Sequence, residues 1–155
     1  MKAAVVNVLG QAPQFQDFAD PIAAAGVAVV QMRAAGLHPI VKSIASGQHY
    51  SSAGQVPAIP GLDGVGVLED GSLTYCLATN RTRGTMAELT ASVRASCIPL
   101  PEGLDPIQAA AIANPGMSAW LSLKSRAALA AGETVLVNSF ALPRGRTHFQ
   151  RNLSD

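Results

Sequence analysis

Many short, strand-like runs fill roughly the first hundred positions of the chain, and helical spacing follows them. Residues 2–8 are β-branched, and residues 14–18 alternate phenylalanine with polar side chains before Asp20-Pro21, which predicts two strands joined by a turn. Val27-Ala28-Val29-Val30-Gln31-Met32 reads as a third, largely buried strand ending near Gly36. Pro39 suits the first turn of a helix, with Ile40, Val41 and Ile44 at helical spacing and Gly47 as a stop. Residues 51–60 form a loop of small residues and prolines, residues 61–68 return to a strand, and Asp70-Gly71 turns it. Residues 72–77 and 86–91 are further strands, separated by a polar loop over 79–84, and residues 97–101 form an extended edge. From Asp105, a cap followed by Pro106, the pattern is helical over Ala109–Ala113, is punctuated by Asn114-Pro115-Gly116, and resumes over 118–129. Thr134-Val135-Leu136-Val137 then has the look of a buried parallel strand. The fold class is α+β, mostly β, and no internal repeat is present.

Composition narrows the function classes. With 155 residues there is room for one ordinary domain and a fragment of another, and 48% hydrophobic residues supply a normal core without staples. Eleven basic against ten acidic residues leave a formal charge of +1, too weak a field to recruit nucleic acid or an anionic membrane. The longest nearly apolar run, residues 22–30, is about half of the roughly 20 residues a membrane helix needs. Asn7 interrupts the apolar start, so a strand rather than a leader is expected there. Two cysteines, Cys76 and Cys97, have no metal-type spacing and read as buried thiols of a cytoplasmic protein. Arg144, Arg146 and Arg151 concentrate at the end, where apolar periodicity vanishes.

Seven stretches match one family in order and spacing. They are Met1–Val5, Ala34-Ala35-Gly36-Leu37-His38-Pro39, Pro60-Gly61-Leu62-Asp63-Gly64-Val65-Gly66, Gly84-Thr85-Met86-Ala87-Glu88, Ile98–Leu104, Ala109-Ala110-Ala111 and Ala130–Val137. Over residues 1 to about 137 the chain resembles the zinc-independent medium-chain dehydrogenase/reductases, specifically their quinone-oxidoreductase-like group. The resemblance implies a GroES-like, partly open β-barrel catalytic domain over 1–117. A linking helix and a single Rossmann-type strand would follow over 118–137, and a non-homologous basic tail over 138–155. It also implies hydride transfer from NADPH to a quinone or enone.

The resemblance carries a metal expectation with it. Where zinc-dependent relatives place their catalytic ligands, this chain has His38, Leu62-Asp63 and Asn114. Leucine cannot ligate, and a His with an Asp falls short of the three protein ligands a catalytic zinc normally takes, so no metal is expected. The site residues implied are Tyr50 as hydrogen-bond donor to a carbonyl, Lys42 as charge partner of an enolate or cofactor phosphate, and His38 as polar wall or proton donor. Asn114 would meet the nicotinamide carboxamide. Each also has a plainer reading: a solvated lysine, a surface tyrosine, a locally bonded histidine, and an Asn-Pro-Gly helix stop. Family members often have Asn in place of His38 and Tyr in place of Ser43, so the substrate stays open.

After the last strand the family continues with a Gly-x-x-Gly turn that takes the cofactor pyrophosphate at a helix N-terminus. Here the sequence is Asn138-Ser139-Phe140-Ala141-Leu142-Pro143-Arg144-Gly145-Arg146, with one glycine. This reads as a truncated or frame-shifted family member. Little NADPH turnover by the chain alone is expected, as is self-association through exposed C-terminal elements. The alternative is a non-catalytic remnant or interaction module.

Overall fold

The computed structural model describes residues 1–52, 54–138 and 148–151. They fall into two units, Met1–Gly116 and Met117–Asp155.

The first unit is built on open antiparallel sheets that do not close into a barrel. Strands β1 (Lys2–Val5) and β2 (Gln14–Asp17) pair in the expected hairpin order. The main sheet has the order β6-β3-β4-β5-β7, with β3 Val27–Ala35, β4 Asp63–Val67, β5 Leu73–Leu77, β6 Leu89–Val93 and β7 Ile98–Pro99. Pro99 lies on the outer strand, as a residue without an N–H must. One apolar cluster joins Val65 and Tyr75 of this sheet to Ala109 and Ala110, with Leu73 and Leu100 packed against it. Another gathers Ala3, Val5 and Ile59 beside Met86. Such clusters supply the largest favourable contribution to folding, roughly 25 cal/mol per Å² of apolar surface removed from water.

Helix α1 (Pro39–Ala45) starts where its proline predicts, and Val41 and Ile44 are its buried residues. His38, at its N-cap, has extended backbone and gives no side-chain cap, which leaves the imidazole available elsewhere. Helix α2 (Pro106–Trp120) is capped as expected: Gln108 N donates to Asp105 Oδ1 at 2.8 Å. The break expected at Asn114-Pro115-Gly116 does not occur, and α2 runs through Pro115 to Trp120. A proline removes a single backbone bond, and by then the alanine-rich turns have already nucleated the helix.

In the second unit a π-helical turn over Leu121–Arg126 continues from the last residues of α2. The strand expected over 134–137 is present as β8 (Val135–Asn138), but its partner is the antiparallel β9 (His148–Arg151), not a parallel neighbour. Leu136 is 72% exposed, so β8 is not the buried strand its apolar run suggests. The glycine-poor stretch 139–147 lies outside the described residues. No described helix is long and apolar enough to cross a membrane.

Candidate functional site

The site grows from one acidic residue in an apolar strand. Asp63 opens β4 and is completely buried. Burying a carboxylate is costly unless donors surround it, and three side chains do so. His38 Nε2 lies 3.1 Å from Asp63 Oδ2, Tyr75 Oη donates to the same oxygen at 3.0 Å, and Asn114 Nδ2 donates to Oδ1 at 3.4 Å. The Asp63 backbone is fastened too: its carbonyl accepts from Gly36 N at 2.8 Å and from Thr85 Oγ1 at 2.9 Å. An ionised carboxylate only accepts, so its bond with His38 puts the imidazole proton on Nε2 and sets the ring's orientation. Burial first, and then the charge of Asp63 and the hydrogen bond to it, raise Tyr75 well above the usual phenol range, which keeps the hydroxyl a donor.

Close approach makes the cluster possible. A Cβ on Gly36 would sit 2.5 Å from His38 Nε2 and 2.9 Å from Asp63 Oδ2, so any larger residue would push the pair apart.

His38 also lines a cleft of about 590 Å³ between the loop after β1 and the N-terminal end of α1. Its walls are mostly apolar: Pro13, Leu37, Val41, Pro60 and Met86. Lys42, in the last turn of α1, lines the same cleft. A volume of this order is that of a small-molecule pocket.

The expected site residues therefore separate. His38 and Asn114, 76 positions apart (114 − 38), meet through Asp63, and Lys42 joins His38 at the cleft. Tyr50 stands apart: it is 95% exposed, its ring lies 4.3 Å from that of His49, and it does not line the cleft. Asp63, weighed from sequence only as a metal ligand, is the centre of the cluster, and Tyr75 had not been singled out. The available signal was an acid inside the apolar run Leu62–Val67 and a tyrosine inside residues 72–77. Among the described residues no three His, Cys, Asp or Glu side chains gather as a metal site. At this corner only His38 and Asp63 are of metal-binding type, so the donor set does not fit a catalytic zinc.

No family model matches the chain. The quinone oxidoreductase of Rattus norvegicus is 33% identical over 120 residues, covering 71% of this chain and 36% of that protein. That of Homo sapiens is 32% identical over 130 residues, covering 79% and 39%. Among solved structures, the quinone oxidoreductase from Thermus thermophilus, described with its NADPH complex, superposes with a TM-score of 0.77 at 35% identity, over 86% of this chain and 43% of that one. An alcohol dehydrogenase superfamily protein from Novosphingobium aromaticivorans also gives 0.77, at 26% identity. With this fold and these relatives the chain belongs to the medium-chain dehydrogenase/reductases. Within that class it is quinone-oxidoreductase-like, and it spans about two fifths of the length of the relatives it matches.

Proposed function

We propose that this chain forms the substrate-facing wall of a reductase that passes a hydride from NADPH to a quinone or conjugated enone without a metal. The observation that carries the reading is the His38–Asp63 pair at the edge of an apolar cleft that Lys42 also reaches. Flat apolar walls take a ring system, and two polar side chains orient it. Reduction of a quinone or enone puts negative charge on the carbonyl oxygen, and this oxygen must then be protonated. The Lys42 ammonium opposes the developing charge, and His38, whose Nε2 proton is held by Asp63, is a polar wall of the cleft, the oxygen taking its proton from solvent. Asn114 and Tyr75 act through Asp63 as positioning residues. Tyr50, exposed and stacked on His49, has no part in this reading.

NADPH supplies the hydride when bound, but the described residues do not make a site for the whole dinucleotide. The sequence after β8 has a single glycine where a pyrophosphate cradle takes several. A reading without zinc follows from the same corner: by resemblance the ligand places hold His38, Leu62-Asp63 and Asn114, leucine cannot ligate, and His38 and Asn114 are each bonded to Asp63.

The test is a titration of the purified chain with 1,4-naphthoquinone, followed by the imidazole resonances and by NADPH oxidation. Saturable binding that shifts His38 but not His49, weakens several-fold in Val41→Glu, and comes without NADPH turnover is the expected result. Binding that shifts neither histidine would overturn the reading, and a non-catalytic module would take its place.

A further inference from the structure

The two cysteines are 21 positions apart (97 − 76), and the β5–β7 register, carried one residue past the start of β7, sets them opposite each other. Thr74 pairs with Pro99 and Tyr75 with Ile98, so the next pair in this register is Cys76 with Cys97. The hydrogen-bond phase defines what kind of pair it is. Leu100 N donates to Leu73 O at 3.0 Å, which makes Leu73 and Leu100 a hydrogen-bonded pair. Pairs alternate along an antiparallel ladder, so Thr74–Pro99 is non-hydrogen-bonded, where a proline costs nothing, and Cys76–Cys97 is non-hydrogen-bonded too. Cys97 N accordingly bonds away from β5, to Arg94 O at 3.1 Å. Cα atoms in such pairs lie about 4.5 Å apart, inside the range of roughly 4.4–6.8 Å that a disulfide spans.

The side chains share a face. Leu73, Tyr75 and Leu100 point into the cluster with Ala109 and Ala110, so positions 76 and 97 point to the opposite side of the sheet. Cys76 is completely buried, with its Sγ 3.9 Å from Met32 Sδ, and Cys97 is partly exposed, with its Sγ 3.7 Å from Val93 O. Both thiols are free.

We propose that Cys76 and Cys97 are a redox modification site, which an oxidant of the disulfide class, such as oxidised glutathione, closes into an intrachain cross-link. The Cys97 thiolate attacks one sulfur of the oxidant, whose S–S bond breaks and releases a glutathione thiolate. The Cys76 sulfur, having given up its proton to water, attacks the Cys97 sulfur and expels the second glutathione. Two protein thiols are oxidised to one disulfide, one oxidised glutathione is reduced to two thiols, and the two protons lost by the protein end on them. The order follows from access and ionisation. Burial first, and the neighbouring Cys97 next, push the Cys76 thiol up to about 12, so Cys97 is the sulfur that reacts with the oxidant. The cross-link would fasten the outer strand β7 to β5, one residue from Tyr75 and its bond to Asp63. This inference does not depend on the reductase reading.

The purified chain is incubated with excess oxidised glutathione, and its intact mass and tryptic peptides are read. Wild type is expected to lose two hydrogen masses and to yield residues 43–81 linked to residues 95–124. Cys97→Ser abolishes the linked peptide and leaves the mass unchanged, while Cys76→Ser stalls with one glutathione on Cys97. Should Cys76→Ser fail to fold, Cys97→Ser, at a partly exposed position, is sufficient. A wild-type chain that keeps glutathione on Cys97 with Cys76 still free, or that links only between chains, overturns the proposal.

Discussion

The sheet around Asp63 and the stretch from Met117 to Leu136 are both rich in apolar residues, and they use them in opposite ways. In the sheet, Val30, Val65, Cys76 and Asp63 itself are completely buried. From Met117 to Leu136 no residue is buried, and Trp120 and Leu136 are 65% and 72% exposed. Hydrophobic composition is therefore not what makes a core here. Antiparallel register is, because it stacks alternate side chains of β3, β4 and β5 on common faces, whereas β8 has one strand partner and buries none of its described side chains. A polar residue can be fully buried in the first region because neighbouring strands and α2 supply its donors.

This contrast can be broken or sharpened by measurement. The largest effect is expected for Asp63→Ala, which leaves the donors of His38, Tyr75 and Asn114 without their shared acceptor and should cost about 3 kcal/mol or more in urea unfolding. A loss below about 1 kcal/mol would mean that the cluster holds nothing together. A smaller effect is expected from pH. Burial and then Asp63 raise Tyr75, so the folded protein keeps the phenol proton while the unfolded chain loses it near its ordinary value of about 10. Above that pH the unfolded chain binds fewer protons, and stability falls as pH rises, having been fully present below it. The urea midpoint should drop less steeply between pH 9 and 11 in Tyr75→Phe than in wild type. Equal slopes would refute the assignment. The smallest effect is expected for Leu136→Thr, within about 0.5 kcal/mol, because that side chain is already in water. Amides over 117–136 should exchange well ahead of those in β3, β4 and β5, and Trp120→Gln should reduce any light scattering from self-association. Protection equal to that of the main sheet would remove the distinction between the two regions.

Local pattern already located most of the elements. Alternation of phenylalanine with polar residues marked β2, Pro39 marked the start of α1, and Asp105-Pro106 marked that of α2, since each signal lies within a few residues of the structure it specifies. The ordered motifs, from Gly36-Leu37-His38-Pro39 to the apolar run at 134–137, were enough to indicate the family. The chemistry of the site was less legible. His38 and Lys42 could be named because they lie on one short helix start, but Asp63 is joined to His38 across 25 positions and to Asn114 across 51.

Such pairings depend on how strands are registered and on which face α2 presents, and neither is written in a local window. The same reason explains Tyr50, which follows α1 closely in the chain and yet lies in solvent. It explains the helix that passes through Pro115, because a proline's local preference is one contribution among many along fifteen residues. Sequence by itself determined where most strands and the starts of both helices lie, the near-neutral charge and the family, all from neighbouring residues and composition. Only the tertiary structure decided that a buried carboxylate would gather His38, Tyr75 and Asn114, because the β4–β5 register and the packing of the two helices set which distant side chains meet.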